Sequence, residues 1–253
     1  MSKKLWQKDS IALHPKIESY TVGEDYLLDK SIFVYDIKAS KAHARMLGSI
    51  GVLTEDEVKK LEVTLDELQK KFESGEFEID TSDEDCHTVI ENYLVEKLDN
   101  VGKKIHTGRS RNDQVLTAMR LYMKVELNEV KKQTKALSEQ FFSYAKKFES
   151  VPFPGYSHTQ QAMLSSVAHY YASILESLLD DFDYLSSVQK IIDKNPLGSA
   201  AGFGVSIPID RDMTTQELGF ASMQVNSLYT QSGKGKYENM VMSGLSQIMM
   251  TLS

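Results

Sequence analysis

The sequence predicts an all-α protein, an elongated bundle with long central helices, from three observations. No Gly or Pro occurs between Gly108 and Pro152, and none occurs between Gly155 and Pro196. Apolar residues recur along both stretches at steps of three and four, which is the spacing of one helical face. No segment sustains the alternation of apolar and polar residues that is typical of a half-buried strand. Helices of about 40 residues extend about 60 Å, so we expect partner helices from other subunits to cover them.

The composition is that of an ordinary globular protein, with 41% hydrophobic and 26% charged residues among 253. The net charge of −7 argues against a protein that wraps a nucleic-acid backbone, which requires clustered positive charge. The single cysteine, Cys86, excludes an internal disulfide and a Cys-rich zinc site, and it fits a reducing compartment. No apolar run reaches the length of a signal peptide or a membrane span. We therefore expect a cytoplasmic protein without nucleic-acid or membrane partners.

Two helices are predicted before the long stretches. Thr54 and Glu57 have the spacing of a capping box, and Gly75 is a suitable helix stop. A second helix is predicted to begin near residues 82–85 and to end before Gly102. The apolar face of the first helix comprises Val58, Leu61, Leu65, Leu68 and Phe72, and that of the second comprises Val89, Ile90, Leu94 and Leu98.

Two domains are expected in this chain, a helical domain over residues 1–105 and a long-helix domain over residues 106–253. The first long stretch carries Val115, Met119, Tyr122, Leu127, Val130, Leu137, Phe141 and Tyr144 on its apolar face. The second carries Met163, Val167, Tyr170, Ile174, Leu178, Leu185 and Ile192. A Met-rich helix that starts at Tyr237 has no terminal Gly before Ser253. We therefore expect the long-helix domain to be truncated.

The segment His106–Asp113, with the sequence HTGRSRND, directly precedes the first long helix. A helix N-terminus offers unpaired N–H groups and the positive end of its dipole. Two arginines, Ser110 and Asn112 add donors there, and Arg can bind a carboxylate or phosphate in a bidentate manner. The segment thus predicts an anion site. The alternative is a capping loop with solvated arginines, because Ser110 and Asn112 are both good N-caps.

A second polar segment, residues 154–160, precedes the second long stretch and is expected to form another helix entrance. It places His158 among hydroxyl groups. Histidine carries protons near neutral pH, which makes His158 a candidate general acid or base. The alternative is a capping Ser157 and a histidine that only donates or accepts a hydrogen bond.

The acidic run Asp83-Glu84-Asp85 before Cys86 and His87 could supply metal ligands, but it also suits the first turn of a helix. No HExxH pattern occurs, and no two histidines are three or four residues apart. We therefore predict no catalytic metal. The glycines at 198, 202 and 204 match neither phosphate-binding motif, so they indicate a close turn rather than a nucleotide site.

Together these segments resemble the argininosuccinate lyases of the fumarase/aspartase superfamily. HTGRSRNDQV is the most specific of the matching stretches. They comprise residues 84–88 (EDCHT), 106–115 (HTGRSRNDQV), 155–160 (GYSHTQ), 196–211 (PLGSAAGFGVSIPIDR), Leu5-Trp6 and 20–26 (YTVGEDY).

The resemblance implies a fold of the fumarase/aspartase type and a homotetramer with a central helical bundle. It implies reversible elimination of fumarate from argininosuccinate, which leaves arginine, in arginine biosynthesis. No cofactor is implied, and each active site is shared between subunits. A dianion such as fumarate fits the donors predicted at the first long helix, and the intermediate needs preorganised donors.

By motif position, Asn112 resembles the family's substrate-binding Asn, and His158 resembles its acid/base histidine. Ser157 stands where most members have Thr, and it retains a hydroxyl. Asp25 falls near a position where many relatives carry a substrate-contacting Ser. The remaining candidates for substrate binding are Arg109, Ser110, Arg111, Gln160 and His87.

The family's flexible catalytic loop and its C-terminal domain have no counterpart in the sequence. We therefore expect this chain by itself to be an incomplete and poorly active portion of the enzyme. The alternatives are another lyase of the superfamily, such as adenylosuccinate lyase or fumarase, and a non-catalytic, crystallin-like structural relative. A plain helical scaffold is a further alternative.

Overall fold

The computed structural model describes Tyr20 and residues 23–80, 83 and 85–253. Leu5 and Trp6, and the motif residues Thr21, Val22 and Glu84, lie outside the described residues. In chain order the elements are α1 (Asp25–Leu28), a 3₁₀ turn (Asp29–Ser31), α2 (Phe33–Ser49), α3 (Glu55–Glu73), α4 (Cys86–Leu98), α5 (Asn100–Lys104), α6 (Arg111–Lys147), β1 (Pro152–Ser157), β2 (Gln160–Ser166), α7 (Val167–Ile192), β3 (Lys194–Asn195), α8 (Arg211–Leu218), β4 (Ser222–Met223), α9 (Ser227–Ser232) and α10 (Lys236–Thr251).

The predicted helical class is confirmed. In the described part of the chain, the strands form two sheets of two strands each, β1 with β2 and β3 with β4. No helix among the described residues is both long enough and apolar enough to cross a membrane.

The chain divides into two compact units. The first comprises the described residues up to Tyr122 together with Asp193–Lys234, and the second comprises Met123–Ile192 together with Gly235–Ser253. Helix α6 contributes its first turns to the first unit and the remainder to the second. The domain boundary expected between residues 105 and 106 stays a prediction.

Helix α3 begins at the predicted capping box. Thr54 Oγ1 accepts a hydrogen bond from the N–H of Glu57 at 3.2 Å, and Glu57 Oε2 accepts one from the N–H of Thr54 at 2.9 Å. The helix ends just before Gly75, whose φ of 76° suits a left-handed stop. Both predicted ends of this helix are therefore confirmed.

The core of the first unit forms between α2, α3 and α4. The apolar face predicted for α3 is confirmed, because Leu61, Leu65 and Leu68 are fully buried and Val58 and Phe72 pack against the same core. Its other main members are Phe33, Ile37, Leu47, Ile90 and Leu94. This core holds the start of α6, since Ala118 is buried in it and Met119 and Tyr122 pack against it.

The first long helix is confirmed. Helix α6 has 37 residues, which correspond to about 56 Å at 1.5 Å per residue.

The second long helix was predicted wrongly over its first part. Residues 152–166 form the antiparallel hairpin of β1 and β2, and α7 begins only at Val167 and has 26 residues. The absence of Gly and Pro after Gly155 is compatible with a strand as well as with a helix. At Gly155 itself the pairing is irregular, and an added Cβ would lie 2.9 Å from the carbonyl oxygen of Met163. A side chain there would push the strands apart, so the glycine permits the hairpin.

In the second unit, α7 and α10 pack closely. A Cβ added to Gly244 would lie 2.7 Å from Leu185 Cδ2, so the glycine allows this approach. Leu178, Val188 and Ile192 are buried, as is Val241 on α10. Large apolar side chains elsewhere in this unit are exposed, among them Phe142, Leu179, Met163, Leu164, Met242 and Met249.

Candidate active site

Asp113 ties the start of α6 to a distant loop. One of its carboxylate oxygens accepts a hydrogen bond from the N–H of Ser110 at 2.9 Å. The other accepts from the N–H groups of Gly198 and Ala200 at 2.9 and 2.8 Å. Asp113 is fully buried, and burial raises its pKa above the usual range, although these N–H groups act in the opposite direction. The HTGRSRND and PLGSAAG segments are thus joined around one carboxylate.

Gly198 makes this junction possible. Its φ is 85°, and an added Cβ would lie 2.7 Å from Ile209 Cδ1. A residue with a side chain would meet both backbone strain and a steric clash there.

Ser110 and Asn112 form a small polar group at the start of α6. Ser110 Oγ accepts hydrogen bonds from the N–H of Asn112 at 3.3 Å and from its Nδ2 at 3.1 Å. Lys234 donates to Asn112 Oδ1 at 2.5 Å. Ser110 thus caps the helix, as the alternative interpretation held. Asn112 is half-buried. Its side chain stays beside the ammonium group of Lys234 even though Ser110 caps the helix.

The two predicted arginines contact protein groups. Arg111 lies 3.1 Å from the carboxylate of Asp85 and donates to Thr88 Oγ1 at 2.7 Å. Arg109 is buried and donates to Ser40 Oγ at 2.9 Å. Burial lowers the pKa of Arg109, and nearby carboxylates, that of Asp113 included, oppose this shift. Neither arginine is fully solvated, which contradicts that part of the capping-loop alternative. Their direct contact with substrate stays a prediction.

His87 pairs with Asp36 in the interior of the first unit. His87 Nδ1 lies 2.7 Å from Asp36 Oδ2, and Gln114 Nε2 donates to both Asp36 oxygens at 3.0 Å. Burial lowers the pKa of His87, but the carboxylates around it, that of Asp36 above all, together raise the pKa above its ordinary value. Burial raises the pKa of Asp36, yet His87, with smaller contributions from Arg109 and Gln114, brings that pKa below its ordinary value. Each of the two groups thus favours the charged form of the other, and substrate contact by His87 stays a prediction.

The group formed by Asp29, Cys86 and His87 has possible metal-ligand atoms within 4.8 Å of one another. These groups already have partners, since Asp29 accepts the N–H of Cys86 at 2.9 Å and His87 is bound to Asp36. Burial raises the pKa of the Cys86 thiol well above its usual value, and a thiol must lose its proton to bind a metal. Asp85 accepts the N–H of Thr88 at 2.8 Å and caps α4. It therefore precedes the first turn of the helix, in which the interpretation had placed the acidic run.

His158 lies at the tip of the hairpin in the second unit, and not at a helix entrance as predicted. Ser157 pairs with Gln160, so His158 and Thr159 alone connect the strands. Their φ values are 51° and 61°, the geometry of a turn that favours Gly or Asn. Residues with side chains are strained there, and such strain is concentrated at functional sites. Ser157, His158 and Gln160 are all exposed, so their side chains are accessible.

Asp25 is the first residue of α1 and is exposed. The predicted site residues are thus distributed over both units. Arg109, Ser110, Arg111, Asn112, His87 and Asp25 belong to the first, and Ser157, His158 and Gln160 belong to the second.

The comparison with protein families is decisive. Residues 19–253 match the model of a family described as lyase. This chain belongs to the lyase family. An argininosuccinate lyase from Thermotoga neapolitana is 47% identical to it over 98% of this chain and 62% of that protein. An argininosuccinate lyase from Xanthomonas oryzae pv. oryzae is 44% identical over 94% of this chain and 55% of that protein. The chain therefore spans little more than half of these relatives.

Solved structures agree with the predicted fold of the fumarase/aspartase type. An EDDS lyase in complex with formate superimposes with a TM-score of 0.82 at 25% identity, covering 96% of this lyase chain and 48% of that chain. A class II fumarase from Schistosoma mansoni gives a TM-score of 0.77 at 15% identity, over 93% of this chain and 58% of that chain, which supports the fold alone.

Several polar groups of this lyase were not found from the sequence. His43 Nε2 donates a hydrogen bond to the carbonyl oxygen of Thr107 at 2.8 Å and so holds the loop before α6. Its burial brings its pKa well below the ordinary value. Asp36 contacts His87, which is 51 residues away in sequence. Lys234 contacts Asn112, which is 122 residues away. No local pattern marks such contacts. Asp113, in contrast, is the last residue of the HTGRSRND segment, so the sequence offered it as a candidate at the start of the first long helix.

Proposed function

We propose that this chain supplies substrate-binding and proton-transfer segments of an argininosuccinate lyase, which eliminates fumarate from argininosuccinate and leaves arginine. The observation that carries the proposal is the 47% identity to an argininosuccinate lyase over 98% of the chain. Since the chain spans 62% of that relative, the activity of the whole enzyme is part of the proposal.

The anion part of the site is proposed at the start of α6. Ser110, Asn112 and the first N–H groups of the helix lie together there, with Lys234 on Asn112. A helix N-terminus favours negative charge. Fumarate and the succinyl part of argininosuccinate each carry two carboxylates, and one of them fits these donors.

The proton transfer is proposed for His158. In the elimination, a base removes a proton from the carbon next to a carboxylate. The electron pair of that C–H bond forms the C=C bond of fumarate. The C–N bond breaks, its electron pair stays on the guanidino nitrogen, and this nitrogen takes up a proton as arginine leaves. An exposed imidazole in a strained two-residue turn is suited to reach into a site completed by another subunit. Ser157 and Gln160, which pair beside it, supply hydrogen-bonding groups next to the substrate.

A homotetramer with shared active sites is part of the same proposal. The exposed apolar side chains of the second unit, such as Phe142, Leu179 and Met163, support it, because such surfaces are typical of interfaces. We place the reaction in arginine biosynthesis in the cytoplasm, and the unpaired Cys86 agrees with a reducing compartment.

The test uses the protein expressed from its complete gene. With argininosuccinate as substrate, we expect fumarate, detected by ultraviolet absorbance, and arginine, detected by chromatography, in equal amounts. Adenylosuccinate and EDDS serve as competing substrates, and we expect much lower kcat/KM for both. A protein that prefers either of them, or that releases no fumarate from argininosuccinate, would contradict the proposal.

A further inference from the structure

The charges of the two arginines near Asn112 are already balanced by protein groups. Arg111 lies 3.1 Å from the Asp85 carboxylate, and the carboxylates of Asp36 and Asp113 act on the buried Arg109. A carboxylate ligand at Asn112 therefore gains less from these guanidinium groups than their number suggests, since each positive charge has a negative neighbour.

Lys234 brings a further positive charge to this place. Its Nζ donates to Asn112 Oδ1, although the two residues are 122 positions apart. An ammonium group has donors only, so the amide oxygen of Asn112 must face it. The Nδ2 group of Asn112 then faces Ser110 Oγ at 3.1 Å. The contact with Lys234 thus fixes the orientation of the Asn112 amide, with its oxygen towards Lys234 and its nitrogen towards Ser110.

The position of Lys234 is itself fixed by the loop that Asp113 holds. Helix α9, which ends two residues before Lys234, is bound to that loop at two points. Gln231 Nε2 donates to the carbonyl oxygen of Ala200 at 2.9 Å, and Ser227 Oγ donates to that of Gly202 at 3.0 Å. The N–H of Ala200 is in turn bound to Asp113. Contacts therefore run from the first turn of α6 through the loop and α9 back to Asn112.

We propose that Lys234 is a substrate-positioning residue of this lyase. It fixes the amide of Asn112 and places an ammonium group beside the carboxylate of fumarate or of the succinyl part of the substrate. The inference rests on the proposed function, in that it takes a four-carbon dianion as the ligand. It adds a residue that lies far in sequence from the HTGRSRND segment.

The experiment compares Lys234→Met and Lys234→Arg in the protein expressed from its complete gene. Lys234→Met keeps the length of the side chain and removes its charge. We expect the inhibition constant of fumarate and the KM for argininosuccinate to rise about ten-fold or more, the usual contribution of a charged hydrogen bond, with a smaller fall in kcat. Lys234→Arg should largely restore both constants. Lys60→Met is the control, since Lys60 is an exposed lysine of the first unit that pairs with Asp56.

The outcomes separate this inference from the proposed function. If Lys234→Met leaves both constants unchanged, or only lowers the thermal midpoint, the positioning role is wrong and the lyase activity stands. If the wild-type protein does not turn over argininosuccinate, the proposed function is wrong. Calorimetric titration with fumarate then decides the inference. Binding that Lys234→Met weakens supports it, and equal binding, or no binding by the wild type, overturns it.

Discussion

The two units of the chain differ in what they bury. The first encloses charged and polar groups, among them Asp36, His87, Arg109 and Asp113, each paired with protein partners. The second unit is smaller, yet it carries most of the exposed large apolar side chains of the described residues. The first unit thus pairs these four charged groups within itself, whereas the second has apolar surface that a partner could cover. Substitutions of these buried charged groups should therefore change stability, and those of exposed residues in the second unit should change catalysis or assembly.

The largest effect is expected at the hairpin tip. His158→Asn removes the proposed acid/base group and keeps a residue that tolerates the φ of 51°. We expect kcat to fall about 100-fold to 10,000-fold, the usual contribution of general acid–base catalysis, with little change in the thermal midpoint. Steady-state kinetics and calorimetry measure the two quantities. A fall in kcat that is accompanied by a large fall in the thermal midpoint would contradict a purely catalytic role of His158.

The buried ion pair of the first unit should give the next largest effect. His87→Gln removes the cation nearest to the buried Asp36 carboxylate, which costs about 3–5 kcal/mol of unfolding free energy. The raised pKa of His87 gives stability that is present below its unfolded pKa and is lost as the pH rises through the folded pKa. The lowered pKa of Asp36 gives stability that is lost as the pH falls through its own folded pKa.

The difference in unfolding free energy between wild type and His87→Gln should therefore be largest in mildly acidic solution, between the folded pKa values of Asp36 and His87. It should be smaller in alkaline solution. Urea unfolding at a series of pH values measures it. A difference that grows steadily towards alkaline pH would mean that the pair is not ionic.

Asp113→Ala should also destabilise the first unit. It leaves the N–H groups of Ser110, Gly198 and Ala200 without their acceptor, and one buried unsatisfied group costs about 1–3 kcal/mol. We expect a loss of about 3 kcal/mol, measured by urea unfolding. Asp180→Ala, at an exposed position of α7, is the matched control and should change the free energy by less than about 0.5 kcal/mol. Equal effects of the two substitutions would remove the role of Asp113.

The smallest effect on stability is expected at Leu179, which lines an apolar groove with Phe142 and Phe182 and is 53% exposed. Leu179→Ser should change the unfolding free energy of the dissociated chain by about 0.5 kcal/mol or less. It should weaken self-association, which sedimentation at several protein concentrations detects. Leu185→Ser, at a fully buried position, serves as the contrast and should destabilise the fold. Unchanged association would argue that another surface mediates assembly.

The sequence predicted those parts of the fold that depend on local contacts. The capping box at Thr54 joins residues three apart, and the apolar face of α3 follows one helical period. The start of α6 could be predicted for the same reason, because Ser110 caps it from within two residues.

The remainder depended on contacts or backbone states that the sequence does not display. The hairpin was missed because its turn uses His158 and Thr159, neither of which is the Gly or Asn that such a turn favours. The ion pair of Arg111 with Asp85 was not predicted, because it joins positions 26 apart and only the fold decides that distance. Lys234 reaches Asn112 from still further away.

The divided chain of the first unit has a consequence for protein synthesis. Residues 193–234 complete this unit only after the 70 residues from 123 to 192 have left the ribosome. Until then Asp113 lacks Gly198 and Ala200, and the nascent polypeptide exposes a charged interior. A slow translation step or a chaperone acting before residue 193 would therefore influence the yield of folded protein more than one acting after residue 234.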